Sequence, residues 1–221
     1  VVKTLDDLIT LTVEDVREKR DIPLKINHEV IGVDFDKKTV TVKPNDVDEP
    51  FEDSYDYLFI GTGAHPFVPE SFSISRDDQI HHPRIALVHT LPQGKKIREF
   101  LHAQKGKNLK IVIIGGGFIG QEMVEAYKKR NGPTEIIIIE GLNFVFKSKT
   151  EEFVVKKLKE ENIGIKRQNV QDIKVISDEK IEVILEDGET IAADFVQVSI
   201  GIRPRTKFLK ETSLELASNG A

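Results

Sequence analysis

Apolar and polar positions follow two different rhythms along this chain. In the first ninety residues the apolar stretches are short and mostly alternate with polar ones. Thr12 precedes residues 13–19, which carry Glu14 and Asp15 early, and this predicts a short N-capped helix. Residues 24–27, 29–34 and 39–43 read as strands around the turn Asp36-Lys37-Lys38, a small antiparallel meander. Residues 45–54 are acidic and contain Pro50, so a loop is expected there. Residues 57–60 predict an apolar strand running into Gly61-Thr62-Gly63-Ala64. Pro66, Pro69 and the serines at 71, 73 and 75 then mark a connector.

The second rhythm begins after the helix predicted over 93–103. Residues 110–114 and 135–140 are near-continuous aliphatic runs, the pattern of strands covered on both faces. Between them residues 118–130 read as a helix. Residues 151–162 form an amphipathic helix with Phe153, Val154, Val155 and Leu158 on its apolar side, and Gly164 is the expected stop. Residues 165–167 read as a third parallel strand. Residues 172–176, 180–185 and 190–195 alternate, with Asp187-Gly188 as a hairpin turn, and 196–200 form a last apolar strand ending at Gly201. The order is a β-rich piece, a connector, then a βαβ unit with an antiparallel insertion.

Composition narrows the possibilities. The 221 residues fit one large or two modest domains; 39% hydrophobic and 31% charged content is globular and argues against disorder. No apolar run approaches the ~18–20 residues of a membrane helix. A net charge of −5 argues against a nucleic-acid binder. With zero Cys, these residues hold no disulfide, thiolate metal site or cysteine nucleophile. The six histidines show neither H-x-x-x-H nor H-E-x-x-H spacing, and His81-His82 would point apart on a strand, so no metal site is expected. The serines at 71, 73 and 75 lack a G-x-S-x-G elbow. Lys156-Lys157 with Glu151, Glu152, Glu160 and Glu161 reads as a solvated helix face.

The chemistry-bearing motif is Gly115-Gly116-Gly117-Phe118-Ile119-Gly120, a G-x-G-x-x-G that follows an aliphatic strand and opens a helix. Gly115 can make the tight turn. Gly117 lets the backbone approach a pyrophosphate, and Gly120 lets helix and strand pack closely. The helix start then offers free N–H groups to the phosphates. Glu140 ends the second strand, twenty residues after Gly120. A carboxylate there accepts the hydroxyls of an adenosine ribose and repels a 2′-phosphate, so NADH is expected over NADPH. Lys147 and Lys149 follow closely; they read as solvated loop residues that could otherwise approach a 2′-phosphate.

Three glycine motifs stand in order: Gly61-Thr62-Gly63-Ala64-His65-Pro66, the 115–120 loop, and Ser199-Ile200-Gly201-Ile202-Arg203-Pro204. Over nearly its whole length the chain resembles the middle of a FAD-dependent pyridine nucleotide–disulfide oxidoreductase. Leu11-Thr12-x-Glu14 and Asn27-His28-Glu29-Val30-Ile31 are most similar to the coenzyme A disulfide reductase and NADH oxidase branch. The resemblance implies an α/β, Rossmann-like FAD/NAD(P)-binding fold. That fold is a three-layer β/β/α domain with a parallel sheet and an antiparallel β insertion, plus part of a second, FAD-binding lobe. It implies a middle segment of the FAD domain over 1–90, an NAD domain over 91–215, and the start of the return to the FAD domain over 216–221. The redox cysteine would lie upstream of Val1, so no catalytic residue is expected here, and the chain reads as an internal portion of a cytoplasmic enzyme, with the full-length protein a homodimer.

Carried over position by position, the resemblance implies FAD contacts at Val30, Thr62, Gly63 and Ala64. It implies NAD contacts at Gly115, Gly116, Gly117, Phe118, Ile119, Gly120 and Glu140. Glu122 would lie near the nicotinamide–flavin junction, or simply be a helix acid near a dipole. Gly201 would leave room for the nicotinamide. Lys25 matches a position that can contact coenzyme A phosphates in that branch, although an ordinary surface lysine is the better explanation. The implied reaction is hydride transfer from NADH to FAD, then electron delivery to a small-molecule acceptor: a disulfide such as coenzyme A disulfide, a peroxide or oxygen. A cysteine-independent rubredoxin- or ferredoxin-type reductase and a non-catalytic NAD sensor remain alternatives from the sequence.

Overall fold

The computed structural model describes residues 6–76, 79–130, 132–142, 149–218 and 220. The chain forms two compact units, Val1–His65 with Arg203–Ala221, and Pro66–Ile202.

In the first unit Thr12 and Asp15 cap each other. The Asp15 N–H donates to Thr12 Oγ1 at 3.1 Å, and the Asp15 carboxylate accepts from the Thr12 N–H and hydroxyl. The helical turn that follows widens into π geometry over Asp15–Lys19. A meander then runs through β1 (His28–Asp34), β2 (Thr39–Pro44) and β3 (Phe51–Ser54), all antiparallel. The Asp34 carboxylate accepts from the N–H groups of Asp36 and Lys37 and so builds the β1–β2 turn.

Two expectations are corrected here. The third strand of the meander is β3, from the stretch read as a loop, and residues 24–27 are not a strand. Phe51 pairs with Val42 and anchors β3, while Glu52 and Asp53 are exposed, so the pattern looks like an acidic loop. Residues 57–60 are also not a strand; Tyr57 and Phe59 are 96% and 92% exposed. An apolar run without a neighbour to bond to has no ladder to join. A three-residue strand, β4 (Ala64–Pro66), follows.

The second unit is built in three layers. Along the chain come α1 (Ser73–Arg76), β5 (Ile85–Ala86), α2 (Leu91–Ala103), β6 (Leu109–Ile114), α3 (Phe118–Lys128), β7 (Thr134–Ile139), α4 (Lys149–Glu160) and β8 (Gly164–Lys166). Then come β9 (Val170–Ser177), β10 (Lys180–Leu185), β11 (Thr190–Ala193) and β12 (Phe195–Val198); β13 (Ile202–Pro204), most of which belongs to the first unit, pairs with β4. The central sheet is parallel, in the order β5-β12-β6-β7-β8. Its strands send alternate side chains to opposite layers. Ile111, Ile113, Ile136, Ile138 and Phe195 pack with α2, α3 and α4 residues such as Ile97, Val124, Tyr127 and Leu158. Val112, Ile114, Ile139, Val196 and Val198 pack with Ile173, Ile181, Val183 and Ile191 of the antiparallel sheet β9-β10-β11. Cover on both faces is why these strands read as unbroken aliphatic runs. Each isoleucine so enclosed contributes ~2 kcal/mol.

The mixed α/β fold with a parallel centre and an antiparallel insertion agrees with the sequence reading. Thr90 and Gln93 form a capping box on α2. The stop after α4 is not Gly164, which begins β8, but Asn162 at φ 59°, whose polar side chain tolerates the left-handed turn. Residues 66–75, read as a connector, pack in the second unit together with residues up to 90, where β5 joins the parallel sheet.

Candidate functional site

The site lies at the carboxyl ends of the parallel strands, where open α/β sheets hold their ligands. The Gly115 N–H donates to the Ile139 carbonyl at 2.8 Å, so the turn after β6 leans onto the end of β7. Gly115 has φ 102°, and a Cβ there would lie 2.3 Å from the Ser199 carbonyl oxygen. A Cβ at Gly120 would lie 2.1 Å from the Gly115 carbonyl oxygen. Packing alone therefore requires glycine at both positions.

Gly117 differs. It has negative φ, and a Cβ on it would meet nothing within 4 Å. It also lines a cleft of ≈ 730 Å³ enclosed by residues of the second unit. Among the described residues no packing contact requires this glycine; a group seated closely against its backbone would. Gly117 is the N-cap of α3 and has no side chain with which to cap it, so that helix starts at the cleft. Phe118 and Ile119, the next two residues, line the same cleft.

Glu140 stands across from this turn. Its Oε2 accepts from the Gly116 N–H at 2.7 Å and its Oε1 from the Leu142 N–H at 2.8 Å. Its own N–H bonds the Lys166 carbonyl, fixing it at the mouth of the sheet. Gly201 also lines the cleft, at φ 114° with open space where a Cβ would be. The structure thus brings together Gly115, Gly117, Phe118, Ile119, Glu140 and Gly201 on one cleft. Gly116 and Gly120 hold its turn from behind. Glu122 does not join them; it is exposed on α3.

The flavin-assigned residues belong to the first unit. Val30 sits on β1 at a bulge and is 37% exposed. The Thr62 hydroxyl donates to the Arg205 carbonyl at 2.9 Å, Gly63 accepts from the Arg205 N–H, and the Arg205 Nε donates to the Ala64 carbonyl. Arg205 therefore fastens the Thr62-Gly63-Ala64 turn, whose φ of 66° suits Gly63. Lys25 is ion-paired with Asp53 at 2.7 Å and lies over the Phe51 ring, which gives it a structural task. Lys147 and the side chain of Lys149 lie outside the described residues.

Sequence reasoning missed several cleft residues, the polar Ser199, Gln168 and Asn169 among them. Ser199 donates to the Ile114 and Gly115 carbonyls, at 3.2 and 3.3 Å. Gln168 and Asn169 line the wall beside Gly141. Asn169 Oδ1 fills the place of a Gly141 Cβ, at 1.7 Å. The glycine directly after Glu140 was the available signal for that contact. Among the described residues no group of His, Asp and Glu is arranged to hold a metal ion, and no helix is long and apolar enough to cross a membrane.

The family model of pyridine nucleotide-disulphide oxidoreductases matches residues 6–221. The chain belongs to this family. It is 28% identical over 219 residues to a NADH oxidase of Methanocaldococcus jannaschii, covering 97% of this chain and 46% of that protein. It is 29% identical to a NAD(P)H coenzyme A polysulfide/persulfide reductase of Pyrococcus horikoshii, covering 99% and 46%. Among solved structures, a water-forming NADH oxidase from Lactobacillus brevis bound to NADH superposes with a TM-score of 0.73 at 25% identity, covering 88% of this chain and 41% of that one. The chain spans about half the length of the curated relatives it matches.

Proposed function

We propose that this chain is the dinucleotide-binding portion, with a segment of the flavin-binding portion, of an oxidoreductase that takes hydride from NADH to FAD. The electrons then pass to a disulfide, a peroxide or oxygen. Gly117 carries this reading: it is the loop glycine that the protein's own packing does not demand, and it opens onto the cleft. In this reading residues 1–90 contribute to the FAD domain, 91–215 bind NAD, and 216–221 begin the return to the FAD domain.

The residues present fit a dinucleotide. The start of α3 and the Gly115–Gly117 backbone would hold the pyrophosphate, where N–H groups and the helix dipole favour anions. The Glu140 carboxylate would accept the ribose hydroxyls and exclude a 2′-phosphate by charge, so NADH is the preferred partner. Gly201 leaves open space for a flat ring on the far wall. Apolar residues of the wall, Pro66, Phe67, Phe72, Ile114 and Ile139 among them, would exclude water. Thr62, Gly63, Ala64 and Val30 would lie against FAD. Bound there, the nicotinamide and the flavin supply the hydride chemistry, and this chain supplies hold and orientation.

The names of the relatives support a small-molecule acceptor, coenzyme A disulfide or a persulfide among them. A cytoplasmic homodimer is the proposed form of the whole protein. The Gly117→Val variant tests the reading: it should keep its fold and lose NADH binding. Undiminished binding would remove the assignment of the glycine loop.

A further inference from the structure

On the helical layer, away from the cleft, α2 and α3 leave a groove between them of ≈ 540 Å³. Its floor is apolar: Val88, Ile97, Leu101, Met123 and Ala126. Every ionisable residue lining it is basic, namely Arg98, His102, Lys105, Lys129 and Arg130. This concentration sits on a chain of net charge −5.

Two of the basic residues are not spent on neighbouring acids. Among the described residues neither Arg98 nor Lys105 forms an ion pair, and Lys129 meets only the exposed Glu125. Arg130 is held in place by the carbonyls of Gln104, Lys107 and Pro133 and the Thr134 hydroxyl. Arg98, His102 and Lys105 follow each other at i, i+4 and i+7 along α2 and the turn after it, so they stand on one side over ~10 Å. The helix dipole accounts for cations near a C-terminus, but not for an apolar floor between them.

Gly94 is a second, independent observation. It is an exposed residue inside α2, with ordinary negative φ, and a Cβ on it would meet nothing within 4 Å. Glycine is among the least favourable residues for a helix interior, and here no packing compensates. Gly94 lines the groove and notches its wall.

We propose that this groove docks an acidic amphipathic helix of a protein partner. Apolar side chains at i, i+3, i+4 and i+7 of the partner would fill the floor, and flanking carboxylates would meet Arg98, His102 and Lys105 on one wall and Lys129 on the other. A single-headed anion such as a fatty acid would meet one of the unpaired Arg98 and Lys105 and leave the other unmatched. A helix distributes charge along the length over which the groove distributes its own.

The test uses a fluorescein-labelled synthetic peptide of sixteen residues, leucine at the helical a/d spacing and glutamate on the flanks, titrated by anisotropy against this chain. A second peptide carries lysine in place of glutamate. The glutamate peptide should bind, the lysine peptide should not, and moderate salt should weaken binding about tenfold. The double charge reversal Arg98→Glu with Lys105→Glu should weaken binding at least about tenfold. Gly94→Leu should abolish binding while raising or keeping the melting temperature, since leucine favours the helix. NADH binding should be unchanged in both variants, which keeps this test separate from the dinucleotide reading. Absence of binding, equal affinity for both peptides, competition by laurate, or a salt-independent dimer of this chain that covers the groove would each overturn the proposal.

Discussion

Glu140 Oε2 lies 2.7 Å from the Gly116 nitrogen, so the acid that ends the second strand is hydrogen-bonded to the loop that follows the first. Its other oxygen holds the Leu142 N–H. The carboxylate thus joins both turns at the carboxyl end of the sheet before any ribose is considered. Glu140→Ala should weaken NADH binding by about 1–3 kcal/mol, from the lost ribose acceptor and the released loop. Titration by nicotinamide fluorescence reads this out. A loss well below that range would leave Glu140 as a brace only.

Two of the motif glycines, Gly115 and Gly117, should separate cleanly. Gly115→Ala places a Cβ 2.3 Å from a carbonyl oxygen at a φ of 102° and should cost at least ~2 kcal/mol of folding stability. A Cβ at Gly117 meets nothing within 4 Å, so Gly117→Val should melt close to the wild type while losing NADH. Parallel thermal melts and titrations of both variants make the comparison. Similar destabilisation in the two would show that Gly117, too, is held by packing.

Tyr127 and Gln197 are fully buried in the helical layer and the central sheet, joined by a 2.6 Å bond from the phenol to the amide oxygen. Burial raises the phenol's pKa, so it stays a donor over the working pH range. Tyr127→Phe strands the amide oxygen and should cost about 1–3 kcal/mol in urea denaturation. An unchanged midpoint would mean that the amide finds another donor.

Asp172 ties the 66–90 segment to β9. Burial works to raise its pKa, but bonds from the Ser73 N–H and hydroxyl and from the Ile173 N–H outweigh burial and hold it below the ordinary 3.8. Because the folded value is the lower one, Asp172 stabilises fully above about pH 4 and loses its contribution as pH falls below 3.8 through the folded value. Asp172→Asn should lower stability at neutral pH and flatten the acid limb of the stability curve. An acid limb of unchanged steepness would contradict this.

The parallel strands were legible in the sequence because a strand covered on both faces must be aliphatic at every position, as in Ile111-Val112-Ile113-Ile114. The cleft was legible because its glycines are spaced within one short loop, where Gly120 is forced by the Gly115 carbonyl five residues before it, although Gly115 itself is forced by the distant Ser199 carbonyl. What failed were elements decided by long-range partners. Residues 57–60 look like a strand but pair with nothing described, and Phe51–Ser54 looks like an acidic loop but pairs with β2. Ser199, Gln168 and Asn169 reach the cleft from strand ends far along the chain, and no local spacing announces them. The charged groove between α2 and α3 was hidden similarly, since its walls come from two helices separated by a strand.

The most direct measurement is a parallel titration of this chain with NADH and NADPH, followed by nicotinamide fluorescence. Saturable binding of NADH, with NADPH weaker by about tenfold or more, is the predicted result. Binding of neither would contradict the dinucleotide cleft itself, and equal binding of both would contradict the role given to Glu140.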